Sequence, residues 1–109
     1  MTMHESLRGI RTMTDIFTKY KVVLFSRRNC PKCQTTKEIL DHLRLNYKII
    51  DLDDYHKAIE LKEVLQNVTG IRTDLLPQLF VDGKCVGSGT AIQEMYKKGI
   101  LKKRVSCLF

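Results

Sequence analysis

The stretch NCPKC, residues 29–33, sets Cys30 and Cys33 three positions apart, the spacing of a redox pair. Thiol–disulfide exchange needs a thiolate that attacks and a second thiol close enough to resolve the mixed disulfide. Residues three apart on a helix share one face, so two thiols at this spacing can bond or exchange. Pro31 suits the first helical position, where its missing N–H costs nothing. Cys30 would then lie at the helix N-terminus, among unpaired backbone N–H groups at the positive end of the helix dipole. Arg27, Arg28 and Lys32 add positive charge around it. Surroundings of this kind lower a cysteine pKa from near 8.5 to roughly 3.5–7.5. Cys30 is therefore the candidate nucleophile and Cys33, one turn further in, the resolving thiol.

Two other uses compete for such a pair. Simple packing of both thiols conflicts with the polar SRRN run before Cys30, which places that residue toward solvent. A structural zinc site needs four ligands, and Cys85, Cys107, His4, His42 and His56 offer no paired second half, so no metal is expected. Cys85 lies in an expected strand and is read as packed. Pro77 stands at a strand entrance, where proline is tolerated.

The chain has 109 residues, 43% hydrophobic and 28% charged, which bounds it to one globular domain with one core. No apolar run approaches the ~20 residues of a membrane span, and MTMHESLRGIRTMTDIF lacks a signal peptide's apolar stretch. A cytoplasmic, monomeric protein is the expectation, and reduced intracellular thiols favour chemistry over a structural staple. The formal charge of +7 suits several anionic partners. Its densest cluster, Lys97, Lys98, Lys102, Lys103 and Arg104, is read as a solvated helix end and basic tail, with neither nucleic acid nor membrane expected as partner. The ending Cys107-Leu108-Phe109 is one residue short of a prenylation box.

These chemical residues must be positioned by regular elements. Leu7, Ile10, Met13, Ile16 or Phe17, and Tyr20 recur at helical spacing and predict a first helix. KVVLF (21–25) is a short β-branched run that predicts a buried strand, followed by the cysteine-bearing helix with Ile39, Leu40 and Leu43 on its apolar face. YKIIDL (47–52) predicts a second strand, parallel to the first. Ile59 or Leu61, Val64 or Leu65, and Val68 mark a third helix, with Gly70 at its end. IRTDLL is a loop, and Gln78–Val81 and Lys84–Val86 flank Asp82-Gly83, a hairpin turn pair. Thr90 is expected to cap a last helix that ends at Gly99. The order implies a four-stranded mixed sheet with helices on both faces, a thioredoxin-like α/β arrangement.

From about Phe17 to Leu101 the chain resembles the glutaredoxin family. KVVLFSRRNCPKC is similar to that family's strand and active-site motif, LPQLFVDGKCVG to its cis-proline strand and hairpin, and GSGTAI to its glycine-rich turn into the last helix. Proline directly after the first cysteine favours glutaredoxin over thioredoxin. The resemblance implies a glutathione-dependent reductase of protein or glutathione mixed disulfides, with Cys30 as nucleophile and Cys33 as its partner. It also implies a glutathione site: Arg27 on a glutathione carboxylate, Leu76 before a cis Pro77 pairing with its cysteinyl backbone, and Gly89 and Thr90 offering N–H groups to its γ-glutamyl carboxylate. Lys32 replaces the aromatic residue usual between the cysteines, so a packing contact to glutathione becomes a charge. Leu75-Leu76 replaces Thr-Val, the preceding loop carries about two extra residues, Ser88 replaces a glycine, and Thr90-Ala91 replaces acidic residues. The last change removes a partner for the γ-glutamyl ammonium, an interaction worth ~1–3 kcal/mol. Two alternatives go with the resemblance: a dimer that holds an iron–sulfur cluster through Cys30 and glutathione, and a regulatory domain whose basic tail binds an acidic partner.

Overall fold

In the computed structural model, residues 3–67, 70 and 75–107 are described, residues 3–8 and 107 by their backbone alone. The elements run α1 (Met3–Lys19), β1 (Val22–Ser26), α2 (Pro31–His42), β2 (Lys48–Asp51), α3 (Ala58–Asn67), β3 (Gln78–Val81), β4 (Lys84–Ser88), α4 (Gly89–Lys97) and α5 (Leu101–Cys107). The sheet order is β2-β1-β3-β4. β1 pairs parallel with β2 in the register Val23↔Lys48, and β3 pairs antiparallel with both β1 and β4. This is the expected mixed sheet.

Every residue of β1 is buried because the strand is central and covered on both faces. Alternate side chains feed two cores. Val23 and Phe25 join Met13, Ile16, Leu61 and Leu65 under α1 and α3. Val22 and Leu24 join Ile39, Leu40, Ile92, Leu101 and Val105 under α2, α4 and α5. Phe17, Phe25 and Phe80 form an aromatic cluster in the first core, with centroids 5.2–6.1 Å apart.

The first helix rotates its inward stripe relative to the expected one. Ile10 is 42% exposed, while Thr12, Met13 and Ile16 are buried. Gly9 sets this rotation: a Cβ there would lie 2.2 Å from Val64 Cγ2 and 2.6 Å from the Glu60 carbonyl oxygen, so α1 and α3 approach closely only where a side chain is absent. On α3 the inward residues are Leu61, Val64 and Leu65, and Ile59 faces solvent. Val68 and most of the IRTDLL loop lie outside the described residues. The Asp82-Gly83 turn carries φ of +50° and +76°, as a tight hairpin requires.

The basic segment after Leu101 differs from the expected tail, because it is helical from Leu101 to Cys107. Leu101 and Val105, one turn apart, are fully buried and dock the helix, and Lys102, Lys103 and Arg104 occupy the outer face. Gly99, at φ +74°, ends α4 and redirects the chain into this helix. No helix among the described residues is long and apolar enough to cross a membrane.

Candidate active site

The β1–α2 loop delivers Cys30 to the N-cap of α2, with Pro31 at the first helical position. Asn29, at φ +54°, makes the turn, a conformation that asparagine adopts more readily than most residues. The loop is fixed from the side by β2, whose parallel pairing brings its C-terminal end beside that of β1. The Arg28 backbone N–H donates to Asp53 Oδ2 at 2.7 Å, and the Arg28 guanidinium pairs with Asp54. The DLDD run at the end of β2 therefore braces the cysteine loop, a role that sequence reasoning missed. The available signal was an acidic run at the end of a strand expected to lie parallel to β1.

The Cys30 sulfur accepts a hydrogen bond from the Cys33 backbone N–H at 3.2 Å, so it fills the capping place of an N-terminal oxygen. Cys30 is partly exposed and Cys33 is buried. Partial burial pulls the Cys30 thiol upward. Hydrogen bonds from the Cys33 thiol and N–H and from Arg27, together with the Arg27 charge, outweigh that effect and bring it below the ordinary thiol value. Burial pushes Cys33 the other way, reinforced by its hydrogen bond to the Cys30 sulfur, to about 11. Two thiols with separated pKa values divide the labour: one ionises and attacks, the other keeps its proton.

Arg27, Cys30 and Cys33 line one open cleft with Gln34, Lys37 and Asp51. Lys32 is exposed on the first turn of α2, outside that cleft. None of Leu76, Pro77, Gly89 and Thr90 lines that cleft, and Gly89 lies against Pro77 and Thr36 of α2. The Leu76-Pro77 bond is cis. A Cβ on Gly89 would fall 2.9 Å from Pro77 Cγ and 3.2 Å from Thr36 Oγ1, so this glycine lets α4 close onto the proline and α2 together. Leu76 itself is 5% exposed, with its side chain in the first core.

One expected donor, one expected helix cap and one expected packing contact are corrected here. The Gly89 N–H donates to the Pro77 carbonyl at 3.0 Å, so it is already engaged within the protein. The N-cap of α4 is Ser88, whose hydroxyl accepts the Ala91 N–H at 3.4 Å; Thr90 lies within the first turn and is exposed. The serine that departs from the family pattern thus caps the helix, the task assigned to Thr90. Cys85 is exposed rather than packed, because β4 is an edge strand with a register shift opposite Leu79 and Phe80. Its thiol donates to Gln78 Oε1 at 3.4 Å. Among the described residues no group of three or more His, Cys, Asp or Glu side chains is gathered as a metal site would require.

The glutaredoxin family profile matches residues 22–86, from the start of β1 into β4, and so spans both cysteines and Pro77. The chain belongs to the glutaredoxin family. Among curated glutaredoxins it is 34% identical over 80 residues to mitochondrial glutaredoxin-2 of Rattus norvegicus, covering 73% of this chain and 50% of that protein. It is 33% identical over 88 residues to glutaredoxin-1 of Sus scrofa, covering 78% and 81%. The chain thus spans about half the length of the mitochondrial relatives it matches. The crystal structure of a buckwheat glutaredoxin–glutathione complex superposes with a TM-score of 0.84 over 97% of this chain and 94% of that one, at 24% identity. A wheat glutaredoxin superposes at 0.80 over 94% and 93%, at 27% identity. Glutaredoxins are thiol–disulfide oxidoreductases with a thioredoxin-like fold, and the Cys30–Cys33 pair is the dithiol of that family motif.

Proposed function

We propose that this chain reduces protein and glutathione mixed disulfides with glutathione as its electron donor. The observation that carries the reading is the Cys30 sulfur at a helix N-terminus, held by the Cys33 N–H at 3.2 Å and facing Arg27. The Cys30 thiolate attacks one sulfur of the substrate; that S–S bond breaks and the departing thiolate takes a proton from water. Cys33 then loses its proton and attacks Cys30 Sγ, which releases the second thiol and leaves a Cys30–Cys33 disulfide. Two glutathiones reduce it and leave as their disulfide. Burial holds back the ionisation of Cys33, which leaves glutathione the opportunity to clear a Cys30 mixed disulfide directly.

The buckwheat relative's complex with glutathione supports this donor, and Arg27 beside Cys30 supplies a cation for a glutathione carboxylate. The engaged Gly89 N–H and the absence of an acidic residue in the first turn of α4 both weaken the γ-glutamyl end of that site. The expected result is turnover with an elevated KM for glutathione. A reductase assay with glutathione as sole donor tests the reading: Cys30→Ser abolishes turnover, and Cys33→Ser retains part of the glutathione mixed-disulfide reaction. Normal turnover in the Cys30 variant contradicts it. The cytoplasm, where glutathione is abundant and thiols stay reduced, is the compartment that fits.

A further inference from the structure

The cleft beside Cys30 is lined by more cations, Arg27, Arg28 and Lys37, than carboxylates. The acids at the end of β2 are engaged: Asp54 pairs with Arg28, Asp53 accepts the Arg28 N–H and lies 3.9 Å from the Lys62 ammonium, and Asp51 accepts the Asp53 N–H. Glu38, further along α2, accepts from Gln34. Among the described residues neither Arg27 nor Lys37, both lining the cleft, has a carboxylate partner, and neither does Lys32 on the adjacent turn. Two cations flanking a nucleophilic sulfur, with Asp51 as the one acid lining the cleft, form a surface complementary to anionic chain.

We propose that this cleft selects acidic protein substrates: carboxylates flanking the attacked cysteine pair with Arg27 and Lys37 as the substrate docks on Cys30. The inference rests on the reductase reading above and adds its substrate class. Exposed pairs of this kind contribute modestly to affinity and more to encounter rate, and salt screens them. A carboxylate brought beside the Cys30 thiolate would on its own repel it, and the two cations offset that repulsion, so acidic flanks are tolerated here. Basic flanks meet two like charges and are disfavoured.

The test uses three symmetric peptide disulfides, with the cysteine flanked by glutamates, serines or lysines. The full-length reduced protein reacts with each under single-turnover conditions with acid quench, and each rate is divided by that with dithiothreitol to remove intrinsic reactivity. At low ionic strength the glutamate peptide should react about tenfold faster than the lysine peptide, falling to within about twofold near 0.5 M salt. Lys37→Glu should collapse the ratio at least about threefold, while Lys102→Glu, an equal charge change on α5, should preserve it. Equal rates for the glutamate and lysine peptides, or equal effects of the two variants, would overturn the proposal while leaving the reductase reading standing. Failure to reduce even the serine peptide would overturn both.

Discussion

Replacing Gly89 with alanine tests how tightly the cis-proline turn is seated against the cysteine helix. The added Cβ would lie 2.9 Å from Pro77 Cγ, 3.1 Å from its Cδ and 3.2 Å from Thr36 Oγ1, against a favourable carbon separation of about 3.5–4.0 Å. None of these neighbours moves freely. The proline ring has no rotamer by which to swing aside, its carbonyl is bonded to the Gly89 N–H at 3.0 Å, and the Thr36 hydroxyl donates to the Lys32 carbonyl at 2.7 Å. Alanine favours a helix over glycine by up to ~1 kcal/mol, an effect smaller at the first helical residue. Overpacking a close contact costs ~1–3 kcal/mol. The clash wins, with a net loss of about 1–2 kcal/mol, or a fall in Tm of roughly 4–10 °C. Urea denaturation should show a lower midpoint at unchanged m, and disulfide turnover should fall because α4 and Pro77 no longer close on α2 together. An alanine variant as stable as the wild type would refute this account of the contact.

Leu101→Ala should destabilise the protein by ~2–5 kcal/mol in the same assay because Leu101 is fully buried. Ile100→Ala, at a residue 45% exposed, should change it by less than about 0.5 kcal/mol. The dithiol should also leave a signature in stability against pH. Cys30 ionises more readily folded than unfolded, so its contribution grows as pH rises toward 9.0 and is constant above it. Cys33 keeps its proton longer when folded, so stability is lost between 9.0 and about 11. The unfolding free energy of wild type minus that of a Cys30→Ser/Cys33→Ser variant should therefore peak near pH 9, and a difference that rises steadily to pH 11 would contradict the assignment of the two thiols.

Much of this molecule was legible in the sequence because its periodicities are strong and its punctuation residues are in place. VVLF, YKII and QLFV read as strands, Asp82-Gly83 as a turn and Gly99 as a helix end, each for a reason of backbone geometry that the structure repeats. The cysteine pair was legible because Pro31 fixes where its helix begins. Other features depended on contacts between distant segments. Gly9 turns α1 through its approach to Val64, and Asp53 and Asp54 brace a loop about 25 residues earlier in the chain. The Gly89 N–H is taken by Pro77, which no local pattern announces. The fifth helix was hidden by its charge: five cations obscured Leu101 and Val105, four apart, which are enough to dock two turns of helix.

The most direct test of the central claim is the ionisation of Cys30 itself, read as the pH dependence of its alkylation by iodoacetamide in the reduced protein, with modified residues located by mass spectrometry. Reaction at Cys30 should reach half its maximum below the ~8.5 of a free cysteine, and the midpoint should rise in both Cys33→Ala and Arg27→Ala as hydrogen-bond donors to its sulfur are lost. A Cys30 midpoint at or above the ~8.5 of a free cysteine in the wild-type protein, unmoved by either substitution, would contradict the account.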